Sequence, residues 1–145
     1  MYTAKNSPFR LKKFVVTHLE IGFVPKTKKS NQKPSLKIDF DIFQSEQNEN
    51  IFEISFHLSY NKEKKQGIFY DIKTISNFRF AKRNLDQDYI SGSLYYSGLP
   101  MSISFIRAYL AQVTSSFPSG KHLIESIDLH DLIQSKQAHN LEKLQ

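Results

Sequence analysis

Asp39 and Asp41 stand two residues apart in SLKIDFDIF, and on an alternating strand that spacing puts both carboxylates on one face. Two such groups are the raw material of a divalent-cation site or an acid/base pair. Strands present charged pairs to water routinely, however, and this pair is read as solvated. The histidines, His18, His57, His122, His130 and His139, have no metal-ligand spacing, and none joins a carboxylate in a zinc motif. They are read as solvated or structural. Cysteine is absent, which removes thiolate ligands, disulfides and a cysteine nucleophile, and fits a reducing compartment. Glycine occurs only at positions 22, 67, 92, 98 and 120, so there is no phosphate-cradling loop. Ser115, Ser116 and Ser119 lack the strand-turn-helix setting of an activated serine. The expectation is a protein that is not an enzyme and uses no cofactor and no metal.

Charge suggests a binding chemistry instead, and its distribution matters more than its size. The net charge of +6 is concentrated near the start: residues 1–37 hold nine Lys or Arg against the single acid Glu20, while the rest is slightly acidic. A basic stretch with aromatic neighbours could track a phosphate backbone. Alternation sends most of the strand aromatics to the core, and no RNP1-like run exists. A solvated lysine-rich loop is therefore preferred over a nucleic-acid groove, which stays as the alternative. The first twenty residues contain no continuous apolar stretch followed by a small-residue cleavage site, and nowhere do eighteen apolar residues run together. A cytoplasmic, soluble protein without a membrane span is expected.

The elements that must position these residues follow from hydrophobic period. FRLKKFVVTHLEIGFV, residues 9–24, is β-branched and aromatic, with Val15, Thr17, Leu19, Ile21 and Phe23 assigned to one face and a bulge near Lys12 and Lys13. PKTKKSNQKPS reads as a long exposed crossover. Residues 35–43 alternate with Leu36, Ile38, Phe40 and Ile42 inward, and residues 51–60 repeat this with Phe52, Ile54, Phe56, Leu58 and Tyr60. Residues 68–80 form a fourth strand that begins alternating and ends more apolar. Residues 81–99 read as a polar connection. A helix is expected from Pro100, with Ile103, Ile106, Tyr109 or Leu110, Val113 and Phe117 as its stripe, stopping at Ser115 and Ser116. A second helix starts at an Asp128 N-cap with Asp131 three residues on, uses Leu129, Leu132 and Ile133, and frays beyond Lys136. The fold class is α+β: a four-stranded antiparallel sheet followed by two helices on one face, in one domain spanning 1–145 with its core at 9–135.

One stretch does not fit the pattern of polar connections. Between the two helices lies SSFPSGKHLIESIDLHDLI, with Phe117, Pro118, Leu123, Ile124 and Ile127 in what should be a solvated link. Such side chains either plug the domain's own core or wall an apolar surface for something else.

The collinear order of these strings resembles the SecB family of protein-export chaperones. The likeness covers residues 9–135: the strand FRLKKFVVTHLEIGF, the pair KPSLKIDFDIF and ENIFEISFHLSY, the strand GIFYDIKTISNFRF, the helix LPMSISFIRAYLAQVTSSFP ending in FP, and IDLHDLI. It implies an ATP-independent holdase, assembled as a dimer of dimers, that holds non-native polypeptide clients in long apolar grooves. The groove residues it implies are Val24 and Pro25 at the crossover, and Phe117, Pro118, Leu123, Ile124 and Ile127 in the helix link. It further implies Glu20 and Asp71 as acidic positions on the outer sheet face for docking the motor SecA. There the chain departs from the pattern: exporting members are acidic, whereas this one has a pI near 9.4 and the tail QAHNLEKLQ. Lys12, Lys13 and Lys73 are expected near those acids and would oppose a cationic partner. The resemblance therefore implies holding, for protein export or translocation or for a dedicated antitoxin, more directly than delivery to SecA. The remaining alternative is a scaffold for a single fixed partner.

Overall fold

Strict alternation builds the sheet. The computed structural model describes residues 1–4, 6–25 and 34–142. In β3 (Ile51–Tyr60), Phe52, Ile54, Phe56 and Leu58 are buried, and in β4 (Gly67–Phe80) every second residue from Ile68 to Phe80 is buried. With β1 (Phe9–Val24) and β2 (Leu36–Gln44) these strands form one antiparallel sheet in the order β1-β4-β3-β2. β1 and β2 are thus opposite edges, joined by the segment that reads in the sequence as a crossover. Most of that crossover, residues 26–33, lies outside the described residues, and Lys26, Lys28, Lys29 and Lys33 with it.

Two features of the strands differ from expectation. β4 does not become continuously apolar but alternates to its end, with Thr74 and Ser76 on the core face beneath the helices. In β1 the register slips twice, between Leu11 and Lys13 and again between Val16 and His18. The first slip is the expected bulge. The second resets the alternation, so Val16, and not Val15 and Thr17, shares the core face with Leu19 and Ile21.

The β3–β4 turn is set by one buried side chain. Asn61 adopts a left-handed backbone (φ 52°), which asparagine tolerates, and its amide donates to the carbonyls of Lys65 (2.8 Å) and Ile68 (2.9 Å). Its Oδ1 accepts the Lys65 N–H at 3.0 Å. The turn backbone is satisfied from inside, so the hairpin keeps one register.

The first helix begins earlier than the sequence suggests. α1 (Gln87–Ser93) leads through a π-helical segment, Leu94–Gly98, directly into α2 (Leu99–Val113), so residues 81–99 are only partly connection and Pro100 is not the first helical position. Pro100 has no N–H to donate, and a proline inside a helix must break the regular ladder. The π segment is how this helix absorbs that: the Leu99 N–H reaches back to the Leu94 carbonyl, one residue further than usual. Gly98 at the junction is closely packed, since a Cβ there would meet Ile54 Cδ1 at 2.8 Å and that side-chain tip would have to shift. Leu94, Leu99, Ile103, Ile106 and Leu110 cover the inward face of the sheet, where Phe9 stacks on Phe78 with ring centroids 4.9 Å apart.

α2 ends at Val113, just before the expected stop. α3 (Leu129–Glu142) starts where expected: Asp128 Oδ1 accepts the Asp131 N–H at 3.1 Å, and Leu129, Leu132 and Ile133 pack on the core. It continues past Lys136, which is itself anchored, its ammonium donating to Asp39 (2.7 Å) and pairing with Asp41 (2.9 Å). The arrangement is the expected four strands followed by helices on one face.

Candidate functional site

The link from α2 to α3 is folded back onto the sheet by Thr114. Its hydroxyl donates to the Leu110 carbonyl (2.7 Å) and accepts the His122 N–H (2.8 Å), bringing the chain after the turn at Phe117–Gly120 against the helix end. Gly120 takes φ +74°, a conformation that favours glycine. Beyond it, residues 121–128 have no regular secondary structure and alternate their side chains: His122 and Ile124 inward, Leu123 and Glu125 outward. Ile124 is 2 % exposed and belongs to the core, whereas its neighbour Leu123 is 64 % exposed. The same segment therefore does both things its composition allows.

Inward-facing His122 rests on two tyrosines. Its ring lies 5.1 Å from that of Tyr60 and 5.5 Å from that of Tyr70, and the two tyrosines stack at 5.3 Å. Between this aromatic floor, the start of β2 at Leu36 and the link lies a groove of about 450 Å³. Leu123, Ile124 and Ile127 are among its walls. Burial lowers the pKa of the His122 imidazole from its usual value, favouring the neutral ring. Burial also raises the Tyr70 phenol, with Tyr60 adding to the effect, and burial with the nearby Glu125 charge raises Tyr60. The floor is therefore uncharged at neutral pH, suited to apolar groups that carry occasional hydrogen-bonding atoms.

Of the residues singled out in the sequence, the groove brings together Leu123, Ile124 and Ile127. Val24 closes β1, exposed Pro25 follows it, and half-buried Phe117 and exposed Pro118 sit in the turn after α2; none of the four borders this groove. Tyr60, Tyr70 and His122 were not among the predicted wall residues. A signal existed in the strands: a tyrosine at an inward position carries a polar tip that a phenylalanine would not, and such tips need a partner.

The outer face of the sheet is a different surface. Glu20 and Asp71 stand directly opposite each other on β1 and β4, as an acidic docking pair would require. Each already has partners. Lys64 donates to Glu20 at 2.7 Å, His57 Nε2 donates to Asp71 at 2.9 Å, and His18 Nε2 lies 3.7 Å from the same carboxylate. Partial burial alone would raise the Asp71 pKa, but the hydrogen bond and charge of His57, with His18 behind it, hold it below the usual value. Lys73 pairs with both His18 and His57 across the sheet, as expected near Asp71. Lys13 is farther off, opposite Asn77 near the other end of β4, with Lys12 in the bulge beside it. The cation on Glu20 comes instead from the β3–β4 turn. On the β2 side, Asp39 and Asp41 do share a face, and what they hold is Lys136. Among the described residues no group of three or more His, Asp or Glu is arranged to take a metal ion. No helix among them is long and apolar enough to cross a membrane.

No protein-family model matches the chain, and no curated protein matches its sequence. Solved structures do match. The SecB-like chaperone Rv1957 of Mycobacterium tuberculosis, in complex with a ChAD peptide from the Rv1956 HigA1 antitoxin, superimposes with a TM-score of 0.59 at 9 % identity. The match covers 83 % of this chain and 88 % of that one. A protein of unknown function from Streptococcus agalactiae matches with a TM-score of 0.40 at 10 % identity, over 81 % of this chain and 97 % of that one. At such low identity the first likeness speaks to architecture: four antiparallel strands followed by helices on one face, a SecB-like fold.

Proposed function

We propose that the protein is an ATP-independent holdase that keeps non-native polypeptide segments in the groove between the aromatic floor and the α2–α3 link. The observation that carries this reading is the link itself. A segment pinned at Thr114 and plugged into the core by Ile124 still presents Leu123, 64 % exposed, beside a groove whose aromatic floor is uncharged. Burying an exposed leucine against a client's apolar side chain contributes roughly 1.5–3 kcal/mol, too little for tight binding at one point. A long unfolded client that meets several such grooves gains by effective concentration. Oligomerisation would multiply the grooves. β1, sixteen residues long and paired on one side only, offers an edge through which two copies could join, and pairing would also remove an aggregation-prone edge. A dimer of dimers is accordingly part of the proposal, and the solution mass tests it.

Within this reading a dedicated client, such as an antitoxin, is favoured over general export. The fold neighbour was solved with a peptide from an antitoxin, and the acids of the outer face are occupied by Lys64 and His57 rather than offered to a cationic motor segment. The test is suppression of aggregation of a chemically denatured client, without nucleotide, by the folded protein. Equal turbidity with and without the protein would remove the holdase from consideration.

A further inference from the structure

Beneath the groove lies a buried polar atom whose chemistry is unspent. Tyr70 is 2 % exposed and lines the groove, yet its phenol oxygen has no hydrogen-bond partner among the described residues. A buried, unpaired hydroxyl destabilises a fold by about 1–3 kcal/mol, and phenylalanine would fill the same position without that penalty. Its neighbours give it nothing: the Tyr60 ring stacks on the Tyr70 ring, and His122 meets it edge-on at 5.5 Å. Among the described residues the hydroxyls of Thr74 and Ser76 are also buried and without partners, but neither residue borders the groove.

We infer, resting on the client-holding reading above, that the Tyr70 phenol is a specificity contact of the groove: a client segment bound in extended form displaces the side chains that bury the hydroxyl and accepts its hydrogen on a backbone carbonyl. Three features select that acceptor. The phenol stays protonated across the physiological range, because burial raises its pKa, so it is a standing donor. The floor around it carries no charge to attract a client carboxylate, and the Glu125 carboxylate beside the groove would repel one. A carbonyl, moreover, is present at every residue of an unfolded chain but is already paired in a helix or sheet. A donor that needs a free backbone carbonyl therefore favours non-native over folded chains while leaving the client's sequence open. The exposed Leu123 and the walls at Ile127 and Leu36 would take the flanking apolar side chains.

The experiment measures binding of a fluorescently labelled, unstructured synthetic peptide rich in Leu and Phe, by anisotropy, together with the melting temperature. Wild type is compared with Tyr70→Phe and, as the control, with Thr74→Val, which removes a buried hydroxyl that does not border the groove. The expected result is a Kd about 5- to 10-fold weaker for Tyr70→Phe, as for the loss of one hydrogen bond made out of water. Its melting temperature should be equal to or above that of wild type, and Thr74→Val should bind within twofold, roughly, of wild type. Unchanged binding by Tyr70→Phe, with wild type binding the peptide, overturns this inference alone. A fall in melting temperature that parallels the loss of binding overturns it too, by making the hydroxyl structural. Failure of the folded wild-type protein to bind any unstructured peptide overturns the inference and the holdase reading together.

Discussion

The two faces of this sheet handle polar groups in opposite ways. On the outer face nearly every acid has found a partner: Glu20 with Lys64, Asp71 with His57, and Asp39 and Asp41 with Lys136. Under the α2–α3 link, by contrast, an exposed leucine borders a groove with an aromatic floor whose buried phenol has no partner among the described residues. A surface that satisfies itself is equipped for solubility and fold stability. A surface that leaves apolar area and a donor unsatisfied is equipped to bind. Substitutions in the groove should therefore change binding, and those on the outer face should change how stability depends on pH and salt.

The largest effects should come from splitting the link between adjacent residues. Ile124→Ala, which empties a core position, should lower stability by about 2–4 kcal/mol in denaturant unfolding. Leu123→Ser, one residue earlier, should change stability by no more than about 0.5 kcal/mol while weakening client binding several-fold. Equal stability losses at the two positions would erase the distinction between plug and wall.

Next in size is the effect of protonating the floor. Because burial depresses the His122 pKa, the unfolded chain takes up a proton more readily than the folded one. The folded state keeps its full stability above the ordinary histidine value of about 6.5 and loses part of it as pH falls below. Client binding should weaken over the same range, as a charge enters the apolar groove. His122→Phe should flatten that part of the pH profile in both unfolding and binding, and a profile identical to wild type would exclude the imidazole as its source.

Smaller changes belong to the outer face. Lys136→Met should cost about 1 kcal/mol or less, since Asp39 and Asp41 are largely solvated and screen well. In hydrogen exchange the loss should appear first in α3. The Lys136 ammonium is stabilised by its two carboxylates against the opposing effect of partial burial, so its contribution is present below the usual lysine value and is lost as pH rises through the higher folded one. Asp71→Asn should be smaller still at neutral pH, below about 1 kcal/mol. A depressed carboxylate stabilises above its unfolded pKa and loses that contribution as pH falls through its folded value, so this variant should flatten the acid limb of unfolding. Neither variant should alter peptide binding.

Period and caps made much of this fold legible in the sequence. Alternation in IFEISFHLSY assigned the buried face of β3 correctly, and Asp128 announced the start of α3. The second bulge in β1 was not readable, because FVVTH offers apolar and β-branched residues to both faces and only the pairing with β4 decides which turn inward. The early helix start was hidden by Gly92, Gly98 and Pro100, which ordinarily mark breaks; here tertiary packing of Leu94 and Leu99 overrides them and a π segment absorbs the proline. The groove was half legible. The apolar link stood out by composition, but its floor comes from Tyr60 and Tyr70, far away in sequence. Only the folded geometry shows that His122 joins them and that the Tyr70 phenol has no hydrogen-bond partner among the described residues.

The most direct test of the central claim is peptide binding and aggregation suppression by the wild-type protein and by Leu123→Ser, each with its melting temperature. The account predicts that wild type binds the unstructured peptide and keeps a denatured client soluble, while Leu123→Ser melts at the same temperature and does both less well. A folded wild-type protein that does neither, or a Leu123→Ser variant indistinguishable from it in both, would contradict the account.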